Sequence, residues 1–233
     1  MLQAPVYLTR AAKETGVERF KHVIAFYCAL QYVDPIQRKP FNPILGETFQ
    51  CKIGNYNMAL EQTSHHPPIS HFIMWSDDAP VEEQFTMNGY LEYRAKTAPN
   101  SAQARRVGRL QIKFPKDGGQ INIVVTPGVN IEGVLMKQRS FNLHGVLIVE
   151  DEKGGFYSEV VYNPDKKSGL GSMISKQKTP MDYMEGVITN HRCNYEKERG
   201  SKKVKSYNLL GKITGRWTQE MKIDDKLYWK RDE

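Results

Sequence analysis

The sequence predicts a mainly β protein with flanking α structure: a large antiparallel β-barrel preceded by a short helical segment. Three observations carry this. Steps of three and four between apolar residues are confined to the N-terminal part. From Glu47 onward the apolar pattern changes to period two. Turn signals then recur at short, hairpin-like intervals, at Gly54-Asn55, Asp77-Asp78, Asp117-Gly118-Gly119, Gly154-Gly155 and Asp224-Asp225. The chain divides as residues 1–38, the helical segment, and residues 39–233, the barrel, within one domain.

Taken in order, residues 4–15 predict a short helix. Val17 to Leu30 follows with Val17, Phe20, Val23, Ile24, Tyr27 and Leu30 on one stripe, an amphipathic helix that packs on the domain. The candidate strands are 47–53, 57–63, 70–76, 84–95, 106–114, 120–126, 140–149, 155–162, 182–191, 204–215 and 226–230. So many strands at such spacing fit an antiparallel barrel or sandwich. A barrel of this size is too wide to be filled by its own side chains, so it has room for a ligand. Ser168 to Thr179 breaks the strand rhythm and reads as a loop or short helix. The basic run Lys197 to Lys205, centred on Gly200-Ser201, reads as an exposed hairpin tip.

The 233 residues suit one large domain. No run of about 18 apolar residues is present to span a membrane as a helix. Residues 1–10 lack the pattern of a secretory signal. Cys28, Cys51 and Cys193 are scattered, which fits a reducing cytosol rather than a disulfide framework. A net charge of +7 favours an anionic contact, membrane or nucleic acid, over a neutral one.

Two runs carry the chemistry. Glu61-Gln62-Thr63-Ser64-His65-His66-Pro67-Pro68 ends an alternating segment in two histidines locked by two prolines. Neighbours on a regular strand point to opposite faces, so two histidines serving one ligand need the strand to break there. Proline fixes φ and restricts the residue before it, giving a stiff corner. Imidazoles donate hydrogen bonds from one nitrogen, or from both when protonated, which suits a phosphate or another anion. Upstream, Lys39-Pro40-Phe41-Asn42-Pro43-Ile44-Leu45-Gly46-Glu47-Thr48-Phe49 holds two prolines and a glycine and reads as a shaped loop. Lys39 offers a cation, Asn42 an amide, and the backbone from Ile44 onward a row of N–H donors. Together the runs predict one anion site.

Other readings of these residues are a zinc site using His65, His66 and His71, a structural corner, and a Ser64–histidine nucleophile. Adjacent histidines seldom serve one tetrahedral metal, and no second cluster completes the site. The chain has no Gly-X-Ser-X-Gly elbow and no carboxylate identifiable as orienting an imidazole. Neither a metal nor an enzyme is therefore expected. Trp75, Trp217 and Trp229 read as wall and core residues, since nothing matches the aromatic sheet signature of single-strand RNA binders.

The two runs resemble the lipid-binding domain of the oxysterol-binding-protein-related family. The resemblance lies in Glu-Gln-X-Ser-His-His-Pro-Pro, with Thr63 at the variable place, and in Lys-Pro-Phe-Asn-Pro-X-Leu-Gly-Glu upstream. It continues more weakly through Asn130-Ile131-Glu132-Gly133, Gly145-Val146-Leu147-Ile148, Gly186-Val187-Ile188 and Leu210 to Trp217. It implies a barrel enclosing one lipid, with the headgroup at the mouth against Lys39, Asn42, His65, His66 and the backbone of Ile44 and Leu45. The implied ligand is phosphatidylinositol 4-phosphate, sterol or phosphatidylserine, carried without cofactor between membranes. The implied location is the cytoplasm, with peripheral, transient membrane contact. The family's N-terminal lid and C-terminal helical subdomain have no counterpart in these residues, so a short or truncated form is expected. A lipid hydrolase and a basic nucleic-acid-binding barrel are the rival readings.

Overall fold

The computed structural model describes residues 3–32, 41–135, 139–164 and 179–231. Two helices come first, α1 (Ala4–Lys13) and α2 (Gly16–Gln31). The strands are β1 (Thr48–Ile53), β2 (Tyr56–His65), β3 (Pro68–Trp75), β4 (Thr86–Ala98), β5 (Ser101–Val107), β6 (Leu110–Phe114) and β7 (Gly119–Val125). They continue as β8 (Gly128–Glu132), β9 (Ser140–Asp151), β10 (Phe156–Tyr162), β11 (Tyr183–Thr189), β12 (Leu209–Arg216), β13 (Glu220–Ile223) and β14 (Lys226–Lys230). All the pairings are antiparallel, and they join the fourteen strands into one sheet.

The sheet closes on itself at its middle. The first half of β4 pairs with β6 and its second half with β5. In the same way β9 pairs with β8 near its start and with β7 near its end. Strands β4, β5, β8, β9, β7 and β6 thus form a continuous ring. The fork in β4 needs a chain without a side chain: a Cβ on Gly108, whose φ is +156°, would lie 1.9 Å from the Tyr90 carbonyl oxygen. This fork explains the main error in strand assignment. The predicted strand 106–114 is two strands, β5 and β6, split at Gly108. β8 and β13 were not anticipated, since four or five residues leave little room for alternation to register.

The inner face of the sheet holds the core. Met74, Met87, Ile112, Ile123, Leu147 and Ile188 have at most 1% of their surface exposed. Against them lies α2, buried from Phe20 and continuously from Val23 to Ala29. A helix buried on nearly every side behaves as core, not as a surface amphipath. The expected single apolar stripe is therefore corrected: Ala25, Phe26, Cys28 and Ala29 fall outside it and are buried too. Its start is fixed by Arg19, 4% exposed, whose guanidinium makes two 2.8 Å bonds to Asp117 and lies 4.5 Å from the Phe114 ring centre. Glu18 accepts from the Tyr228 hydroxyl at 2.6 Å and from Lys226 at 3.2 Å.

The predicted hairpin tip at Lys197–Lys205 is instead a helical turn, Tyr195–Glu198, followed by a 3-10 turn, Lys202–Ser206. Buried Glu159 accepts the backbone N–H groups of Tyr195 at 3.1 Å and Glu196 at 2.8 Å, which anchors the first turn. Ser168 to Lys178, the greater part of the segment read as a loop or short helix, lies outside the described residues.

Candidate functional site

The two sequence runs meet at Gln62. Alternation along β2 puts Tyr56, Met58, Leu60 and Gln62 on the inner face, and Gln62 is 3% exposed. Its backbone N–H donates to the Glu47 carbonyl at 2.9 Å, and its carbonyl accepts from Gly46 at 2.8 Å. Its side-chain amide donates to the Ser64 carbonyl at 2.7 Å and accepts from the Ser70 hydroxyl. One buried amide residue thus holds the 41–47 loop on one side and the approach to the histidines on the other.

A β-bulge turns the strand at this place. Gln62 lies opposite Ser70, yet Ser64 lies opposite Ile69, so Thr63 is the extra residue. The bulge shifts the alternation by one. His65, opposite Pro68, thereby joins the register of Ser70, Phe72 and Met74 on the inner face; an unbroken strand would have turned it outward. His66 and Pro67 form the turn into β3. The His65 and His66 ring centres are 4.6 Å apart, with planes at 67°, and both side chains are exposed. Neither bonds to a carboxylate among the described residues. The break in the strand inferred from the sequence is therefore a bulge and a two-residue turn.

The 41–47 loop closes with a turn from Ile44 to Glu47, whose N–H donates to the Ile44 carbonyl at 3.0 Å. Gly46 takes φ +79°, the left-handed region that favours glycine. The Glu47 carboxylate reaches back to the Ile44 N–H at 2.9 Å. This corrects one expectation: the Ile44 amide is occupied within the loop. The Leu45 amide has no acceptor among the described residues, and neither has the Asn42 side chain. Ile44 and Leu45 are 70% and 64% exposed, and Phe41 is fully exposed. Lys39 lies outside the described residues.

His71 does not join the corner. Its Nδ1 is 2.7 Å from the Thr63 hydroxyl and its ring stacks at a tilt on Tyr90, at 5.6 Å. No group of three His, Cys, Asp or Glu side chains among the described residues is arranged to hold a metal ion. His71 instead lines an open groove of about 580 Å³ on the outer face of β1 to β4, with Thr48, Gln50, Glu61, Ile73 and Tyr90. On the inner side, a cavity of about 30 Å³ remains between α2 and the sheet, lined by Tyr27, Leu30, Phe72, Leu91, Arg106 and Leu110. That is far below the roughly 300 Å³ at which ligand pockets begin. Here α2 occupies the interior of the curved sheet, buried continuously from Val23 to Ala29.

The oxysterol-binding protein family model matches residues 1–233. The chain belongs to the oxysterol-binding protein family. "Oxysterol-binding protein 9" of Dictyostelium discoideum is 34% identical over 98% of this chain and 53% of its own length. An oxysterol-binding protein-like protein, OBPa, of Candida albicans is 28% identical over 96% of this chain and 47% of its own. The chain spans about half the length of these curated relatives. Among solved structures, the Osh3 ORD of Saccharomyces cerevisiae in complex with PI(4)P superposes with a TM-score of 0.72 at 20% identity, covering 99% of this chain and 55% of that one. The Osh1 ORD in complex with cholesterol gives 0.71 at 19%, covering 100% and 55%. At such identity the structural likeness speaks for the fold alone.

Sequence reasoning chose the histidines and the loop but passed over Gln62 and Glu47. A signal was present for Gln62. It is the one polar residue in the inward series Tyr56, Met58, Leu60, Gln62, and a polar residue at a buried strand position needs partners.

Proposed function

We propose that this chain binds and transfers a lipid, with the headgroup held at the His65–His66 corner. The observation that supports this most is the joint tether at Gln62, which sets the Asn42–Glu47 loop beside a corner whose imidazoles are left with few internal partners. His65, His66, Asn42 and the Leu45 amide are all donors, and Lys39 adds a cation in the same run. A phosphate-bearing headgroup is the ligand such a set favours. In the family neighbourhood, the Osh3 ORD was solved with PI(4)P and the Osh1 ORD with ergosterol and with cholesterol. We therefore assign this chain a phosphatidylinositol 4-phosphate or sterol ligand, with phosphatidylserine as the further phospholipid candidate.

The apolar body would enter beside the C-terminal half of α2, widening the small space between Tyr27, Leu30, Phe72 and Leu110. Each buried methylene contributes about 0.8 kcal/mol, so an acyl chain or sterol ring supplies the larger share of affinity. Each charge-assisted headgroup bond adds about 1.5–3 kcal/mol and sets selectivity. No bond is made or broken in such a cycle, so the corner acts as a binding surface in the cytoplasm, in transient contact with membranes. Native mass spectrometry after incubation with mixed liposomes tests this. One intact lipid should leave with the protein; hydrolysed lipid would indicate an enzyme, and no lipid would overturn the reading.

A further inference from the structure

The sheet has two open edges, because among the described residues β1 pairs with β2 alone and β14 with β13 alone. The two are protected differently. β14 begins at Lys226 and ends at Lys230, exposed charges that discourage pairing with another chain, and its Tyr228 and Trp229 are buried. β1 contains no proline and no bulge. Its one charge, Lys52, bonds to Asp78 at 2.7 Å. Phe49 on β1 is 57% exposed, and Phe41, Ile44 and Leu45 continue the apolar surface just upstream.

The direction of the β1 peptide groups follows from two bonds. Gln62 turns both its N–H and its carbonyl toward Glu47 and Gly46. Backbone groups alternate sides along a strand, so Leu60, Met58 and Tyr56 also face β1. Their partners Phe49, Cys51 and Ile53 face β2 in return. Thr48, Gln50 and Lys52 are left with their peptide N–H and carbonyl groups on the open edge.

We propose that β1 is a homodimer interface: a second copy of this chain lays its own β1 antiparallel on the open edge, about a two-fold axis at Cys51. In this register Gln50 exchanges N–H···O bonds with Lys52 of the second copy. The apolar face stays continuous, and Phe49 meets the second copy's Ile53 on both sides of the axis, an aromatic–β-branched pair of the favourable kind. An axis at Lys52 would set two ammonium groups face to face, and an axis at Gln50 would give Phe49 only a cysteine. A copy of the same strand fits because β1 is apolar on one face, polar on the other, and bonded outward at every second residue. Such pairing consumes both β1 edges and stops at two copies.

The test uses the whole chain. Light scattering across a concentration series should show a dimer. Gln50→Pro removes an N–H that faces the open edge and has no partner among the described residues, so a folded monomer with an unchanged melting temperature at low concentration is expected. Gln50→Lys sets ammonium against ammonium across the axis and should give the same monomer should the proline variant fail to fold. Oxidation in a Cys193→Ser background should cross-link the dimer through Cys51, since Cys28 is buried. Moving the thiol by Gln50→Cys with Cys51→Ser should abolish the cross-link, because the like positions are then too far apart for a disulfide. A chain that is monomeric at every concentration overturns the proposal. So does a dimer that survives both Gln50 variants and does not cross-link through Cys51.

Discussion

The His65–His66 corner and the Lys197–Lys205 segment are the two features that invite an anion, and the fold treats them in opposite ways. Strand alternation along the ladder puts them at opposite ends of the sheet. The lysine segment has more charge but spends part of it internally. Lys203 bonds to Glu198 at 3.1 Å and Arg199 to Glu185 at 2.8 Å, while Arg192, just ahead of it, bonds to Glu150 at 2.9 Å. The corner has little charge, but a buried amide, a bulge and a two-residue turn fix its two donors side by side. Donor placement, rather than charge density, marks the candidate site.

The strongest way to break this comparison is His65→Ala with His66→Ala. Loss of two headgroup bonds should lower extraction of an anionic phospholipid by more than about tenfold, at roughly 1.4 kcal/mol per factor of ten. The melting temperature should hardly change, since both rings are exposed. Undiminished extraction from liposomes by the folded variant would remove the corner from the site.

Gln62→Leu should show the next largest effect, on two readouts. The substitution leaves the Ser64 carbonyl and Ser70 hydroxyl without their buried partner, a cost of about 1–3 kcal/mol in unfolding free energy. Lipid affinity should fall as well, because the approach to the histidines loses its side-chain bonds to Gln62, while the loop keeps its bonds to the Gln62 backbone. A destabilised variant with unchanged affinity in lipid titration would make Gln62 a packing residue only.

Lys39→Ala against Lys202→Ala with Lys203→Ala compares the two ends directly. A lysine in a confined headgroup site contributes about 1.5–3 kcal/mol. Solvated surface lysines are screened, and contribute a fraction of that at moderate salt. Equal losses in both variants would favour a diffuse basic surface.

Much of this was legible in the sequence, and the failures have physical causes. The β class was readable because period two is an immediate consequence of strand geometry. The second helix, α2, was readable from its spacing, but its depth was not, since the residues beside the stripe, Ala25 and Cys28, are small enough for either setting. The fork at Gly108 depends on which strands lie beside β4, and no local pattern encodes that. The corner was legible because prolines restrict the backbone whatever surrounds them. The Thr63 bulge and the Glu47–Ile44 bond were not, because both depend on the neighbouring strand or the turn that forms around them.

The smallest expected effect concerns acid, and it separates the ends by stability instead of ligand. The end remote from the corner is tied by carboxylates. Hydrogen bonding to Arg19 holds the Asp117 carboxyl below its ordinary range. For Glu18 burial pushes upward, but the hydrogen bonds from Tyr228 and Lys226 and the charge of Lys21 outweigh it, so its pKa too is lowered. Both groups bind protons more weakly folded than unfolded. Their contribution is therefore present above the ordinary carboxylate range, about 4, and is lost as pH falls through the lowered folded values. His22 acts in the same direction from a higher pH: burial lowers its pKa, and its Nδ1 has no hydrogen-bond partner among the described residues, so its protonation below about 6.5 favours the unfolded chain. Hydrogen exchange followed during acidification should thus show α2 loosening first at its start, near Glu18 and His22, while the Gln62 amide stays protected. Asp117→Asn should reduce stability at neutral pH and flatten its fall below pH 4. Exchange that rises first at Gln62 would mean that the corner, not the opposite end, is the weaker part of the fold.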